Sequence, residues 1–181
     1  RGYVPELYRS LVACDLADQA SIHGALDLAR RDSQRPLSIV IHAAGALDDG
    51  LLSSLSPARL HDVLRPKVDG ALLLHQAMGT DERLVLFSSV AGLFGSAGQS
   101  GYAAASSFLD AVAEERTGSL SIAWGPWSGA GMAAQLSELD RGLLLGSGLD
   151  FLSPAQGLAV LAVALRSKAS LEVAVGLDPR R

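Results

Sequence analysis

The sequence predicts an α/β fold, a doubly wound parallel sheet in a single domain. Two features of the chain's order carry this. Short apolar runs rich in β-branched residues alternate with helical segments of roughly ten residues or more, and strands joined through helices lie parallel. Composition agrees. Hydrophobic residues make up 49% of the 181 residues, but aromatics only 5%. A mixture dominated by Ala, Leu, Val and Gly suits close packing of helices on a sheet. No internal repeat, linker or low-complexity tract divides residues 1–181.

Ser10 to Cys14 reads as a short apolar strand ending at Asp15. Asp18 is an N-cap for a helix over Gln19 to Arg30, with Ile22, Leu26 and Leu28 on its apolar face. Leu37 to His42, bounded by Pro36 and by Ala43-Ala44-Gly45, reads as a central strand. Ser56-Pro57, a cap followed by proline at the first helical position, opens a helix from Ala58 to about Met78. Pro66 should kink or restart it. Arg83 to Val90 is the next strand, Gly92 to Gly101 a loop, and Tyr102 to about Arg116 a helix. Leu120 to Trp124 is a strand stopped by Gly125-Pro126. Leu136 to Leu145 reads as a short helix between glycine-rich flanks, a candidate lid. Ser153-Pro154 starts a last helix to Arg166, and Leu171 to Val175 is the fifth strand.

Several function classes are excluded. The net charge is −4, and no basic cluster interleaves with aromatics, so no nucleic-acid surface is expected. One cysteine, Cys14, leaves no internal disulfide and agrees with a reducing cytoplasm. The four histidines, His23, His42, His61 and His75, are scattered, and no set has metal-ligand spacing. The longest helical apolar run, Gly157 to Leu165, falls well short of the roughly 20 residues that span a bilayer. No basic-then-apolar leader is present. Arg1-Gly2-Tyr3 carries no methionine and runs straight into structured sequence, so the chain reads as a piece of something longer.

In such sheets ligands bind at the carboxyl ends of the strands. The residues there are Asp15, Ala43-Ala44-Gly45, Ser89 and Gly125-Pro126-Trp127. Ser89 and Tyr102 lie thirteen residues apart, one at a strand end and the other at a helix start, a plausible pair for binding a carbonyl. A free phenol titrates near about 10, so Tyr102 needs help to act as an acid or base at neutral pH. The positive end of its own helix is one source, and a lysine ammonium a stronger one. The tyrosine helix has no lysine; Lys67, on the preceding helix, is the nearest candidate. Tyr102 would then protonate a carbonyl oxygen while Ser89 donates a second hydrogen bond to it. The blander reading of the same residues is a packed tyrosine, a strand-terminal serine and a surface lysine.

Several runs resemble the ketoreductase domain of modular polyketide synthases. They are Ile41 to Leu52, Pro66-Lys67-Val68-Asp69-Gly70-Ala71, Phe87-Ser88-Ser89-Val90-Ala91-Gly92, Gly98-Gln99, Tyr102-Ala103-Ala104-Ala105 and Ala123-Trp124-Gly125-Pro126-Trp127. The resemblance implies a Rossmann-like short-chain-dehydrogenase fold. It implies NADPH-dependent reduction of a β-ketoacyl chain carried on the phosphopantetheine arm of an acyl carrier protein. Lys67, Ser89 and Tyr102 match the catalytic residues. Asp15 and Leu16 match the segment near the adenine, Ala43-Ala44-Gly45 lies along the cofactor, and Pro126 with Trp127 borders the nicotinamide. Leu47-Asp48-Asp49 matches the loop of the B stereochemical type, which guides the pantetheine arm and implies a D-configured hydroxyl. Phe94 stands eight residues before Tyr102, where the A type has tryptophan, and Met132 lies where the family's lid begins.

Three departures stand beside the resemblance. Ser106 occupies the position, four residues after Tyr102, where the family carries an asparagine that anchors a water in the proton relay. A hydroxyl offers fewer hydrogen-bonding groups than an amide. No glycine-rich phosphate loop precedes Ala13, and the helix ahead of Ala13 is truncated to Val4 to Arg9, so the first βα unit of the family is missing. Two functional expectations follow: a β-ketoacyl reductase of which this chain is an incomplete part, or a redox-inactive domain that epimerises the α-carbon of the β-ketoacyl chain or serves only as a scaffold for carrier protein and neighbouring domains. Trp124 and Trp127 read as packing residues, His42 as a satisfied strand-end residue, and Cys14 as unreactive.

Overall fold

The structure is a computed structural model that describes residues 11–31, 36–129, 138–146 and 148–177. The Asp18 carboxylate accepts from the Ser21 amide at 2.8 Å and starts α1 (Gln19–Arg30), whose Ile22 and Leu26 are buried. The chain continues through β1 (Ile39–His42), a 3₁₀ turn at Leu52–Ser54, α2 (Pro57–Ala77) and β2 (Arg83–Ser89). Next come α3 (Ala91–Phe94), α4 (Ser100–Glu115), β3 (Leu120–Trp124) and α5 (Glu138–Gly146). The remainder is β4 (Leu149–Asp150), α6 (Pro154–Ala164), β5 (Leu171–Ala174) and β6 (Gly176–Leu177).

Strands β1, β2, β3 and β5 form one parallel sheet in that order. β3 is buried at every position, as a strand covered on both faces must be. On one face, Ile22 and Leu26 of α1, Ala71 and Leu74 of α2, and Leu109 of α4 pack against Leu84 and Leu86. On the other, Val85, Leu120, Ile122 and Trp124 meet Leu152 and the α6 side chains Val160, Leu161 and Ala164. The predicted fold class is therefore the observed one. No helix among the described residues is long and apolar enough to cross a membrane.

Four expectations are corrected. Residues 11–14 form no strand. Among the described residues β1 pairs only with β2, so Leu11 and Val12 have no ladder to join and stay exposed. The main sheet accordingly has four strands, with β4 and β6 as a separate antiparallel pair that local pattern did not reveal. Pro66 sits inside α2 without ending it. One missing amide donor is tolerated when buried residues on both sides of it, Val63 before and Ala71 and Leu74 after, hold the helix in the core. Finally, α3 interrupts the predicted loop after β2, and α4 begins at Ser100, which makes Tyr102 its third residue.

Beyond β3 the chain turns into Trp127, whose ring lies 5.0 Å from that of Trp124 at 66°. A Cβ on Gly157 would stand 2.3 Å from the Trp127 ring. Gly157→Ala is therefore expected to cost about 2 kcal/mol by overpacking, seen as a lower midpoint in urea denaturation with an unchanged slope.

Candidate active site

The site grows from the ends of β1 and β2. β1 stops at the pair His42↔Leu86, so the carbonyl of Phe87, one residue further along β2, has run past the ladder. It accepts from Lys67 Nζ at 2.8 Å. Lys67 reaches it from the middle of α2 and is only 2% exposed. Its Nζ lies 5.0 Å from the centroid of the Tyr102 ring, within the range of a cation–π contact. The Ser89 side chain lies beside the Tyr102 hydroxyl and acts on its acidity, and Ser89 Oγ accepts the Ala91 amide at 3.2 Å. Lys67, Ser89 and Tyr102, from three different elements, are thus brought together.

Burial pushes the Lys67 ammonium down to about 8, with the charge of Asp110 acting against it. Burial raises the Tyr102 phenol above its ordinary value; the neighbouring Ser89 hydroxyl opposes this, and the negative charge of Asp49 adds to it. The expectation of a lowered phenol is not met in this geometry, because Lys67 sits over the ring face and desolvation prevails. The phenol is protonated at neutral pH, which is the form a proton donor needs.

The depressed lysine couples stability to pH. Between its folded value of about 8 and its unfolded value of about 10.4, the unfolded chain binds more protons than the folded one, so stability rises with pH. From about pH 7.5 to about pH 9.5 this group should add about 2 kcal/mol. Denaturant titrations at the two pH values check it, and Lys67→Met should abolish the increment.

Behind the pair, Ser106 lies one turn along α4 and is fully buried. Its carbonyl accepts from Ser88 Oγ at 3.0 Å, while its own Oγ has no protein partner. His42 closes the floor: its Nδ1 accepts the Ala44 amide at 3.3 Å, and its Nε2 faces the Lys67 carbonyl at 3.4 Å. A carbonyl only accepts, so the ring is the neutral Nε2–H tautomer. Burial pushes its pKa down, in line with that form. His42 is a satisfied core residue, as the sequence suggests.

The two aspartates of the Leu47-Asp48-Asp49 segment are held within the protein. The Asp48 carboxylate is bridged by two nitrogens of the Arg59 guanidinium, Nε at 2.6 Å and Nη2 closer still. Arg59 also donates to the carbonyls of Asp49 and Ser54, and it holds the Asp48 carboxyl below its usual range. Asp49 Oδ2 accepts from Gln99 Nε2 at 2.8 Å, and the Gly50 amide donates to the Gly98 carbonyl at 2.8 Å. The loop is therefore clamped to the start of α4, about one turn of chain from Tyr102. Gly98 makes that approach with φ +76, which favours glycine. Phe94 is 70% exposed at the end of α3. Met132 lies outside the described residues.

Along the other side runs an open cleft of about 370 Å³, lined by Asp15, Leu16, Ala44, Arg65 and Pro66 among others. Asp15 accepts from the Ala17 amide at 2.9 Å and from Arg65 Nη2 at 2.9 Å. The backbone bond and then the guanidinium lower its carboxyl pKa. Ala43 and Gly45 flank Ala44 at the end of β1. Pro126 and Trp127 follow β3; the Pro126 carbonyl is taken by the Leu152 amide at 2.8 Å, and Trp127 packs on α6. Cys14 borders the cleft, and burial together with Asp15 and Asp18 raises its thiol pKa, which leaves it inert. Among the described residues no cluster of His, Cys, Asp or Glu could hold a metal ion.

Sequence reading missed Arg59, Gln99, Arg65 and Asp110. A polar stripe at every fourth residue of the alanine-rich helix, Tyr102, Ser106 and Asp110, is the signal that would have found the last. The first three act through contacts that no local pattern marks.

The family profile described as "KR domain" matches residues 8–129. Polyketide synthase GfsB of Streptomyces halstedii is 47% identical over 176 residues, 93% of this chain and 3% of that protein. Spectinabilin polyketide synthase system protein NorB of Streptomyces orinoci is 47% identical over 161 residues, 85% of this chain and 7% of that protein. Among solved structures, the ketoreductase from the first module of phoslactomycin biosynthesis in Streptomyces sp. HK803 superposes with TM-score 0.80 at 37% identity, covering 92% of this chain and 39% of that one. The first ketoreductase of the tylosin polyketide synthase gives TM-score 0.79 at 37% identity, covering 92% and 36%. This chain thus spans a small part of each curated relative and well under half of each solved ketoreductase chain.

Proposed function

This chain belongs to the KR domain family, the ketoreductase domains of polyketide synthases, and on that premise we propose that it reduces a β-ketoacyl group, carried on an acyl carrier protein in the cytoplasm, to the β-hydroxyacyl group. The observation that carries the reading is the convergence of Lys67, Ser89 and Tyr102, with the lysine ammonium 5.0 Å from the centroid of the phenol ring and the serine side chain beside the phenol hydroxyl.

Ser89 and Tyr102 both donate to the substrate carbonyl oxygen. As negative charge develops on that oxygen, Tyr102 transfers its phenolic proton to it and Ser89 stabilises it by a hydrogen bond. The Lys67 ammonium stabilises the resulting phenolate and returns a proton to it. NADPH, the cofactor the family uses, would when bound supply the hydride to the carbonyl carbon. The cleft beside Asp15, Leu16 and Ala44, with room of about 370 Å³, fits the adenine end; Ala43, Gly45, Pro126 and Trp127 would complete the strand-end edge of the site. Leu47, Asp48, Asp49, Phe94 and Met132 are assigned to guiding the pantetheine arm. Asp48 and Asp49 would do this through the loop shape set by Arg59 and Gln99, since their carboxylates are already engaged. The B-type loop is the basis for a D-configured product.

A second reading is favoured by the unpartnered Ser106 Oγ at the relay position. There the same three residues would exchange the α-proton through an enolate and transfer no hydride, or the domain would be structural. Fluorescence titration with NADPH, on the polypeptide that carries this chain, separates them. Binding followed by turnover of a β-ketoacyl thioester supports reduction. Absence of binding overturns it and leaves α-proton exchange to distinguish an epimerase from a scaffold.

A further inference from the structure

Arg59 directs its whole guanidinium at one loop. It is the third residue of α2, and Ser56 Oγ, which caps that helix, accepts its amide at 3.3 Å. The side chain folds back over the segment that leads into the helix. Nε donates to Asp48 Oδ2 at 2.6 Å and Nη2 to Asp48 Oδ1, a two-point ion pair. Nη2 also donates to the Asp49 carbonyl at 3.2 Å, and Nη1 to the Ser54 carbonyl at 3.1 Å. A planar fork serves such a set of acceptors, and a point-like ammonium does not. The backbone leaves room for the fork: a Cβ on Gly50 would stand 3.3 Å from Nη2 and 3.3 Å from Ser54 Oγ, tighter than an ordinary contact. The other edge of the loop is tied to α4, by Gln99 Nε2 on Asp49 Oδ2 and by the Gly50 amide on the Gly98 carbonyl, each at 2.8 Å. Gln99 is the cap residue of α4, and Tyr102 is the third residue of that helix. Direct contacts thus run from Arg59 through the loop to the turn that carries the phenol.

We propose that Arg59 is a positioning residue for substrate orientation: it holds the Leu47-Asp48-Asp49 loop as a fixed wall beside Tyr102 and so decides which face of the ketone is reduced. The proposal rests on the reductase reading. Ser89 and Tyr102 fix only the carbonyl oxygen, which leaves the two substituents of the carbonyl carbon free to exchange sides. Exchanging them turns the opposite face of the carbonyl toward the hydride. One substituent ends in the thioester and the pantetheine arm, the other in the acyl chain, so a wall that admits the arm from one side selects one configuration. Asp48 does not supply this selection by binding the arm, because Arg59 holds both of its oxygens. The loop acts by shape, with Leu47 half-buried and Leu51 and Leu52 exposed on it. A loop tied at both edges before the substrate arrives keeps that shape without an ordering cost on binding.

The test compares Arg59→Met, Arg59→Lys and Asp48→Asn in the polypeptide that carries this chain. Each is given a β-ketoacyl pantetheine thioester and, separately, a small cyclic ketone with neither thioester nor arm. In Arg59→Met, KM for the thioester should rise roughly tenfold, the order of one lost charge-assisted contact, with kcat changed less. The opposite hydroxyl configuration should appear as about a tenth of the product, from the same loss of discrimination. The cyclic ketone should be reduced within about twofold of the wild-type rate, which a general loss of structure would not allow. Arg59→Lys, which keeps the charge without the fork, should restore little. Asp48→Asn should shift KM and configuration in the same direction, and combining it with Arg59→Met should do no more than Arg59→Met alone. Unchanged KM and configuration in Arg59→Met overturn the proposal, as do full rescue by Arg59→Lys and an equal loss on both substrates. A wild type that reduces neither substrate overturns the reductase reading instead. Equilibrium binding of the thioester then decides the hold of the loop on the arm: weaker binding in Arg59→Met supports it, and unchanged binding overturns it.

Discussion

Tyr102→Phe is expected to lower reduction of a β-ketoacyl thioester by about 10²–10⁴ while leaving the fold intact. The change removes one oxygen and keeps the ring. The ring continues to receive Lys67 Nζ at the face, 5.0 Å from its centroid, and α4 keeps its packing. The lost group is the hydroxyl that lies beside Ser89 and is held protonated by burial. Because the variant loses a proton donor and not a binding surface, the fall belongs in kcat, with KM little changed. Steady-state kinetics in parallel with thermal denaturation check this. A variant that retains wild-type kcat would remove Tyr102 from the chemistry.

Lys67→Met is expected to reduce turnover by about 10²-fold or more, again without collapse of the fold. The ammonium is what stabilises the phenolate formed when Tyr102 gives up its proton, and a thioether offers no charge. Stability should not fall in proportion. The buried charge has a pKa depressed to about 8, so the folded state carries a desolvation cost that methionine does not. Against that stands the Phe87 carbonyl, left without its 2.8 Å donor, a loss of about 1–3 kcal/mol. The two effects are comparable, which predicts a midpoint near that of the wild type. In the wild type, activity should decline as pH rises through about 8, where Lys67 loses its proton. Lys67→Arg should not rescue the function, because a planar guanidinium neither fits the same pocket nor titrates there.

The parts of the fold that were legible in the sequence are those that local chemistry decides. Asp18 capping Ser21, Ser56 with Pro57 opening α2, and the β-branched run of β3 each depend on neighbours within a few residues. The strand expected over residues 10–14 depended on pairing, which is non-local, and the apolar composition of Leu11 and Val12 could not report a missing partner. Pro66 looked like a break because its own missing donor is visible in sequence, whereas the packing of α2 on either side of it is not. The same division runs through the candidate site. Ser89 and Tyr102 were legible from their places at a strand end and a helix start. Lys67 was singled out by type and by resemblance. That Asp48 and Asp49 are occupied by Arg59 and Gln99 depends on how a loop closes on two helices.

The central claim is tested most directly by offering the intact protein a β-ketoacyl thioester together with NADPH deuterated at its transferable position, and locating the label in the product. The account predicts a β-hydroxyacyl product with one deuterium on the β-carbon, in the D configuration, formed by the wild type and lost in Tyr102→Phe. Unreduced thioester whose α-proton exchanges with solvent, in a reaction indifferent to the nucleotide, would contradict it.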